Sequence, residues 1–257
     1  MRTGIAAALP DLWSYSGSVD VHVLTNGVER HGVEIVPFSS PQFRQASQGL
    51  IASASAEGDL DPWLPFSYVL LNMSSRHVIL HSTSVSNYYP PTGKTVAYTN
   101  TWSSLDPRDT LGPGATRLVI PPSSMSNLLP RLEQQRSRPE GVTVSVEAIL
   151  FDDGGFCGPD HRHAVEQIRG VWQGEREIHE LILTASDDPK ALQELEALAA
   201  GPRPEREMGT FEGKYQTTKW SKARLFLFQI SRAGLASAIA MVEQWPRKVY
   251  PVVRRLE

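Results

Sequence analysis

The period of the hydrophobic pattern changes at Gly158-Pro159, and this change constrains the fold more than any other feature of the chain. Before it, the segment VTVSVEAILF (142–151) alternates apolar and polar residues, as strands with one buried face do. The alternation predicts a single buried face made of Val142, Val144, Val146, Ala148 and Leu150. After the change, apolar residues recur at three- and four-residue spacing, as in amphipathic helices. The sequence therefore predicts β structure followed by helices.

Short runs rich in β-branched and aromatic residues lie between residues 66 and 151. They read FSYVLLN, HVILHSTSV, KTVAYTNTW, TRLVIP and VTVSVEAILF, and turn residues separate them. Short strands with frequent turn signals are typical of antiparallel sandwiches. We therefore predict an α+β fold: an antiparallel, immunoglobulin-like β-sandwich with a C-terminal helical section. The predicted divisions are an N-terminal hairpin and linker, the sandwich and the helical section, at 1–65, 66–158 and 159–257.

The predicted N-terminal hairpin occupies residues 18–37, which read SVDVHVLTNGVERHGVEIVP. Alternating valines lead to Asn26-Gly27, and Val33 and Ile35 follow. Asn-Gly is the strongest short signal for a tight turn between two antiparallel strands, because both residues tolerate positive φ. We expect the two halves of this segment to pair with each other.

Two amphipathic helices are predicted after the sandwich. Asp160 is placed to accept hydrogen bonds from the free N–H groups at the start of the first helix, which ends near residue 184. The second helix begins at Asp188-Pro189, a cap followed by the residue favoured at the first helical position, and Gly201 ends it. Each helix is expected to bury one apolar face.

The third predicted helix contains the most apolar segment of the chain, KARLFLFQISRAGLASAIAMVEQW. It is expected to begin at Ser221 and to be stopped by Pro246. Arg224 and Arg232 interrupt its apolar run, which favours a core helix over a membrane span. We therefore expect Phe228 to be buried, so that Phe228→Asp prevents soluble folding.

The segment FDDGGFCGPDHRH (151–163) carries the only cysteine of the chain among several acidic and imidazole side chains. Its candidate metal ligands are Asp153, Cys157, His161 and His163. We favour a structural role, since Asp-Asp-Gly-Gly suits a turn and Gly-Pro ends a strand. His161 and His163 are two residues apart, a spacing that separates side chains on a helix. We therefore expect no bound metal and no other cofactor.

The alternative for the same segment is a metal-dependent hydrolase. Its site would draw on side chains from across the corner, namely Asp152, Asp153, Asp160, His161 and His163. Other catalytic signals are weak: PPTGKT (90–95) lacks the first glycine of a phosphate-binding loop, and no G-x-S-x-G, H-E-x-x-H or G-x-G-x-x-G pattern occurs in the sequence. The sequence therefore favours a protein that is not an enzyme.

Charge is unevenly distributed along the chain. Residues 150–202 carry 4 basic and 11 acidic side chains, whereas residues 203–257 carry 11 and 5. A basic tail can attract anionic partners. Alternatively, it packs on the acidic segment of the same chain or of a second copy. We favour this second interpretation. The basic candidates for partner binding are Arg247, Lys248, Arg254 and Arg255. Nucleic acid is disfavoured, and a membrane-peripheral subunit attached through 222–257 stays an alternative.

Aromatic side chains give a second candidate surface. Tyr88 and Tyr89 lie at the end of one predicted strand, and Trp102 lies at the end of the next. At one edge of the sandwich such rings form a binding shelf, although aromatic residues on strands also serve packing alone. We take Tyr88, Tyr89 and Trp102 as candidates for partner binding.

The sequence leaves the compartment open. The N-terminal MRTGIAAALP has too short an apolar run for a signal peptide, which favours a cytoplasmic protein unless the original leader is missing from this chain. A single cysteine, Cys157, excludes an internal disulfide.

Two stretches resemble a group of uncharacterised bacterial proteins: YVLLNMSSRHVILHSTSV (68–85) and VSVEAILFDDGGFCGPDHRHAVEQI (144–168). In that group an Asn-x-Ser strand pair and a Phe-x-Asp-Gly…Gly-Pro-Asp corner join an immunoglobulin-like sandwich to helices. The matching corner residues are Phe151, Asp153, Gly154, Gly158, Pro159 and Asp160. The resemblance implies the fold and an exported location, and it implies no activity.

Together these features predict a non-enzymatic binding or assembly protein. We expect its partner to be another protein or a second copy of the chain, contacted through the aromatic strand edge or the basic tail. The sequence identifies no ligand.

Overall fold

The structure is a computed structural model that describes residues 20–51, 64, 67–89, 94–106, 108–119, 141–204, 209–244 and 251–257. The strands are β1 (Asp20–Leu24), β2 (Val33–Pro37), β3 (Tyr68–Asn72), β4 (Val78–Tyr89), β5 (Lys94–Ser103), β6 (Thr116–Val119), β7 (Gly141–Phe151), β8 (Gly155–Cys157) and β9 (Arg254–Arg255). The α-helices are α1 (Pro41–Ala46), α2 (Ala164–Thr184), α3 (Pro189–Ala200), α4 (Phe211–Ala233) and α5 (Leu235–Gln244). The fold is mixed α+β, with mainly antiparallel sheets followed by a helical C-terminal part, and this much of the prediction is confirmed.

The described strands form two sheets. The larger sheet has the order β5-β4-β7-β8-β9, and the smaller has the order β2-β3-β6. β1 pairs with the first half of β7, and β8 pairs with the second half. The β1–β7 and β8–β9 pairs are parallel, whereas the other described pairs are antiparallel. β7 therefore lies at the centre of the larger sheet.

The two sheets share one hydrophobic core. Ile35, Leu70 and Val119 contribute to it from the smaller sheet, and Val85 and Val146 from the larger sheet. On its outer face the larger sheet packs against α2, and the smaller sheet packs against α1. Both sheets are thus covered on two sides, which explains why β3 buries apolar side chains on both of its faces.

β7 does not keep the single buried face that its alternation predicts. Its pairing with β4 shifts by one residue at Glu147, which is the extra residue of a β-bulge. Val144 and Val146 belong to the core between the sheets, whereas Ala148 and Leu150 pack with α2 on the outer side. The prediction was wrong for the second half of the strand, because one extra residue moves the following side chains to the other face.

The hairpin predicted for 18–37 does not form over its described residues. β1 pairs with β7 and β2 pairs with β3, so the two halves enter different sheets. Asn26 and Gly27 do adopt positive φ, 53° and 84°, but a 3-10 helix (Val28–His31) follows them. The Asn26 amide donates a hydrogen bond to the Val146 carbonyl at 2.8 Å. Tertiary partners therefore separate the two strands despite the local turn signal.

As predicted, Asp160 binds the free N–H groups at the start of α2, although the N-cap residue is His163 and the helix begins later, at Ala164. The Asp160 carboxylate accepts hydrogen bonds from Ala164 N–H at 2.7 Å and from Val165 N–H at 3.3 Å. Burial raises the pKa of Asp160, and these two hydrogen bonds offset the rise only in part. α3 begins at Pro189 behind its Asp188 cap, in agreement with the prediction.

The third helix begins well before Ser221, so its predicted start was wrong. Thr210 caps α4 by accepting a hydrogen bond from Gly213 N–H at 3.0 Å, and the Ser221 hydroxyl donates to the Thr218 carbonyl inside the helix. The helix is also interrupted. Gly234 has a φ of 82°, a left-handed value that ends α4 before α5 begins.

Phe228 is exposed over 58% of its surface, contrary to the prediction. Ala223 and Phe226 belong to the core of the helical part, and Phe228 lies about 200° around the helix from Phe226. The phase of α4 therefore directs Phe228 to solvent. The expected helix stop at Pro246 lies outside the described residues. Among the described ranges, no helix is both long enough and apolar enough to cross a membrane.

α2 and α4 approach each other closely at two glycines. A Cβ atom at Gly170 would lie 2.4 Å from the carbonyl oxygen of Phe211, and one at Gly174 would lie 2.9 Å from that of Tyr215. Glycine is required where backbones come this close, because any side chain would collide. The core of the helical part consists of Ile178, Ile182, Leu195, Ala223, Phe226, Ala238 and Val242.

Candidate functional site

An open groove lies between the two sheets at β5 and β6. Among the described residues, β5 pairs only with β4 and β6 pairs only with β3, so each strand borders its sheet. The groove has a volume of about 550 Å³. Its lining includes Trp102, Arg108, Asp109, Thr110, Thr116 and Arg117. Aromatic, cationic and hydroxyl groups therefore meet in one open site.

Arg117 and Trp102 form a stacked pair in this groove. The guanidinium carbon of Arg117 lies 4.1 Å from the centroid of the Trp102 ring, the geometry of a cation–π contact. The His81 imidazole also stacks on Trp102, with 5.6 Å between ring centroids and 29° between ring planes. Strands β6, β5 and β4 supply one member each. His81 and Trp102 are paired neighbours in the larger sheet, whereas Arg117 comes from the smaller sheet, so the packing of the two sheets positions this cluster.

His81 is buried, and its imidazole is neutral. Burial, with a further contribution from the charge of Arg117, lowers the pKa of His81 to about 3. Neither ring nitrogen has a hydrogen-bond partner among the described residues. Because His81 carries no charge at neutral pH, Arg117 is the cation of this cluster.

The two arginines that line the groove differ in their partners. Arg108 donates two hydrogen bonds to the Asp106 carboxylate, from Nε at 3.0 Å and from Nη2 at 2.6 Å. Arg117 has no described carboxylate within 4 Å. Burial lowers the pKa of Arg117, and the more distant charge of Asp109 opposes this change. Arg117 is therefore a half-buried cation that is available to an anion entering the groove.

The groove has the donors that a carboxylate needs. A guanidinium presents N–H groups in a planar fork that matches the two oxygens of a carboxylate. The hydroxyls of Thr110 and Thr116 line the same groove, and Thr110 Oγ1 is held 2.9 Å from His77 Nδ1. The indole of Trp102 supplies an apolar face beside these donors.

The corner carboxylates considered for metal binding or hydrolysis contact separate partners. Asp152 Oδ1 accepts a hydrogen bond from the backbone N–H of His77 at 3.3 Å. Asp153 Oδ2 lies 3.7 Å from Arg76 and 3.8 Å from Arg254. These two carboxylates tie the corner to the residues just before β4 and to β9.

Cys157 and the corner histidines also diverge. Cys157 belongs to the core between the sheets, and burial raises its pKa to about 12. His161 Nδ1 lies 3.3 Å from Glu147 Oε2, whereas His163 Nδ1 lies 3.9 Å from Glu166 Oε2. In the part of the chain that the structure describes, no three His, Cys, Asp or Glu side chains are grouped so that they could hold a metal.

The candidates for partner binding are found in different places. Trp102 lies in the groove. Tyr88 and Tyr89 are the last residues of β4, and their side chains lie outside the described part of the structure. Arg247 and Lys248 lie outside the described residues altogether.

Arg254 and Arg255 pack on the acidic corner of the same molecule. Arg254 approaches Asp153, and Arg255 Nη2 donates a hydrogen bond to the Gly158 carbonyl at 3.1 Å. Leu256 packs against the core between the sheets. The described end of the basic segment is thus held on its own chain through backbone pairing, charge and apolar contact.

Two glycines of the corner make room for this segment. A Cβ atom at Gly154 would lie 2.1 Å from the Val252 carbonyl oxygen, and one at Gly155 would lie 3.0 Å from a methyl carbon of Leu256. The turn that the sequence predicts here therefore has a second role, because its glycines leave room for the close approach of the segment that contains β9.

His81 and Arg117 were not predicted as site residues. The available signal was their position on the strands. Arg117 is two residues from Val119, and His81 is four residues from Val85, so each shares a strand face with its valine. Both valines belong to the core between the sheets. An ionisable residue at an inward strand position is costly unless it has a partner or a role, so this pattern marks both residues.

Comparisons with protein-family models, curated proteins and solved structures find no match for this chain. The resemblance to bacterial proteins with a sandwich and helices therefore stays a prediction. The binding properties of the groove are therefore inferred from the geometry of its own residues.

Proposed function

We propose that the protein is a non-enzymatic binding protein whose groove holds a carboxylate side chain of a protein partner. The observation that carries this proposal is the stacked pair of Arg117 and Trp102. Arg117 is half-buried and has no carboxylate within 4 Å among the described residues. A cation that has already lost part of its hydration gains more from an incoming anion than a fully exposed one does.

The form of the groove favours a segment of a protein over a small metabolite. Small-molecule sites enclose most of the ligand and are lined mainly by apolar groups. This groove is open, and hydroxyl and charged groups contribute to its lining. It also runs beside strands at the border of each described sheet, where extended segments of partners commonly add. One acidic side chain of such a segment can enter the groove while its backbone stays outside.

The proposal is tested by titrating the protein with acetyl-glutamate amide, the smallest unit of an acidic segment. The indole N–H signal of Trp102 is followed by NMR and assigned with Trp102→Phe. We expect this signal to shift and saturate in the millimolar range, because a single side-chain contact is weak. Arg117→Gln is expected to weaken the apparent affinity at least about tenfold, as loss of a charge-assisted pair does.

Two controls separate recognition of the carboxylate from general effects. Acetyl-glutamine amide at equal ionic strength should not shift the Trp102 signal. Arg108→Gln removes a groove arginine that is already paired with Asp106, and it should leave the affinity unchanged. Equal shifts with both amides, or equal losses in both arginine variants, would contradict the proposal.

The finer fold assignment is part of the same proposal. Two facing sheets with a shared core support an immunoglobulin-like sandwich. An experimental structure of the full chain, compared strand by strand with that topology, tests the assignment.

A further inference from the structure

A buried carboxylate lies under the corner between the sheet and the helices. Glu147 is the extra residue of the β7 bulge, and its side chain is only 7% exposed. Its Oε1 atom accepts a hydrogen bond from the Ser84 hydroxyl at 3.0 Å. Its Oε2 atom has no hydrogen-bond donor among the described residues. A buried carboxylate oxygen without a donor is costly, so an N–H group that faces it is favoured.

The group that faces this oxygen is the imidazole of His161. Its Nδ1 atom lies 3.3 Å from Glu147 Oε2, an ion-pair distance that falls outside hydrogen-bond geometry. Since the two atoms are close, it is the orientation of the ring that departs from a hydrogen bond. The His161 side chain is 76% exposed, so the far side of the ring reaches solvent.

The backbone holds His161 over Glu147. The Asp160 N–H donates to the carbonyl oxygen of Glu147 at 2.7 Å, and a Cβ atom at Gly158 would lie 2.6 Å from the same oxygen. Asp160 and His163 both have positive φ, 51° and 52°, a conformation that residues other than glycine adopt at a cost. Such strain concentrates at functional positions. The segment directly before His161 is thus fixed on the bulge.

This geometry activates one ring nitrogen. A carboxylate beside Nδ1 favours the tautomer that has its proton on Nδ1, which leaves the lone pair on Nε2. The same carboxylate stabilises the positive ring that forms when Nε2 attacks an electrophile. Buried Glu147 and exposed His161 therefore combine an orienting group with a reachable nucleophile.

The cationic residues that flank this segment in the chain and in the fold favour a phosphoryl group as that electrophile. Arg162 follows His161 directly, and the guanidinium of Arg255 is bound to the Gly158 carbonyl. The positive end of α2, a helix of 21 residues, begins at Ala164, where the Asp160 carboxylate already accepts hydrogen bonds from Ala164 and Val165 N–H. A dianionic group on Nε2 gains from these charges, whereas a neutral acyl group does not.

The nearby carboxylates have partners of their own. Asp160 accepts two hydrogen bonds from the start of α2, and Glu166 lies beside His163. We propose that His161 is a phosphoryl-acceptor site, modified on Nε2 with Glu147 as its positioning residue. This site is independent of the groove and of the function proposed for it.

The chemical step is tested with phosphoramidate, a small donor that needs no enzyme. The Nε2 lone pair attacks phosphorus, the P–N bond of phosphoramidate breaks, and ammonia leaves with the protons of the donor nitrogen. The product is a phosphorylated imidazolium that keeps its proton on Nδ1, next to Glu147. The full chain is treated with phosphoramidate, and the phosphate on each histidine is followed over time by mass spectrometry of peptides and by phosphorus NMR.

His163 is the matched control inside the same molecule. It is also exposed, and its carboxylate neighbour Glu166 is exposed and more distant. We expect His161 to be phosphorylated at least about tenfold faster than His163, the lower end of the effects of positioned acid–base groups. Glu147→Gln, which keeps the volume of the side chain and an oxygen for Ser84, should lower the His161 rate to that of His163. Glu166→Gln should leave both rates unchanged.

The comparison within the unmodified protein needs no variant, so it holds even where Glu147→Gln fails to fold. Equal rates at His161 and His163 would overturn the proposal. A folded Glu147→Gln protein with an undiminished His161 rate would overturn it as well.

Discussion

The sheet region and the helical part bury their apolar side chains in different ways. The larger sheet is covered on both faces, by the smaller sheet on one side and by α2 on the other. The helices share a narrower core, and α4 leaves Leu225 and Phe228 exposed. The sheet region therefore depends on filling space between layers, and large side chains carry most of its stability.

The helical part depends more on backbone proximity and on polar contacts. Gly170 lets α4 approach α2 closely. Beside this contact, Glu177 on α2 accepts hydrogen bonds from the Tyr215 hydroxyl at 2.5 Å and from Lys219 Nζ at 2.9 Å on α4. Substitutions that add a side chain or remove a charge should therefore matter more in this part than truncation of an apolar residue on the exposed face of α4.

The largest effect is expected for Phe151→Ala. Phe151 is fully buried in the core between the sheets, and the Arg76 guanidinium lies 3.6 Å from its ring centroid. Truncation of a buried phenylalanine costs about 3–5 kcal/mol of the free energy of unfolding. Phe228→Ala is the matched control, and it should change that free energy by less than about 0.5 kcal/mol. Urea unfolding followed by circular dichroism measures both changes. Similar losses of unfolding free energy in the two variants would contradict the proposed difference between the sheet region and the helical part.

An intermediate effect is expected for Gly170→Ala. The added methyl group would lie 2.4 Å from the Phe211 carbonyl oxygen, so α2 and α4 must separate. Overpacking of this kind costs about 1–3 kcal/mol. Gly174→Ala meets its nearest atom at 2.9 Å and should cost less. Thermal unfolding gives the ranking, and a stabilised Gly170→Ala protein would show that the helices do not pack this closely.

The smallest effect is expected for Glu177→Gln and depends on pH. Burial raises the pKa of Glu177, but hydrogen bonds from Tyr215, Lys219 and Gln173 outweigh it and lower the pKa to about 2. Because the pKa is lowered on folding, the ionised carboxyl stabilises the fold above its ordinary pKa near 4.5, and this contribution is lost as the pH falls toward 2. After allowance for solvent screening, we expect a loss of roughly 1 kcal/mol at neutral pH.

The measurement is the difference in thermal stability between the natural protein and Glu177→Gln across this pH range. The difference should shrink between about pH 4.5 and pH 2. Glu180→Gln, which removes a carboxylate 4.0 Å from Arg176 on the exposed face of α2, is the control and should change stability less. A difference for Glu177→Gln that stays constant with pH would show that its hydrogen bonds, and not its charge, stabilise the helices.

The sequence was most informative where one signal decided the outcome. Short runs rich in β-branched and aromatic residues, separated by turn residues, located β3 to β7, because such side chains favour strands. The caps Asp160 and Asp188 were also predictable, since a side-chain oxygen before a helix has few other roles. The bulge at Glu147 was not predictable, because the sequence VSVEAIL is compatible both with a regular strand and with a strand that has one extra residue.

Signals that compete with distant contacts were less reliable. Asn26-Gly27 forms a turn-like backbone, yet its strands pair with β7 and β3. Ser221 suits a helix cap, but a buried face on both sides of it extends α4 back to Thr210. Propensity is a weak prior where tertiary packing decides between alternatives.

The groove was only partly predictable. Trp102 was a candidate from its residue type, whereas His81 and Arg117 lie on other strands and meet it only when the sheets assemble. Short-range patterns do not contain this information. The corner likewise supplied His161 as a candidate, but its partner Glu147 became visible only through the bulge.

The parallel pairing of β1 with β7 has a kinetic consequence. This pairing joins Asp20 to Gly141. The strand β1 can therefore pair only after the much later strand β7 has been made, and closing such a long loop is slow. Until β7 arrives, β1 has no described partner and β4 has one open side, the state in which sheet proteins associate with one another. The rate at which β7 pairs with β1 and β4 in a newly made molecule therefore determines how long that molecule is prone to aggregate.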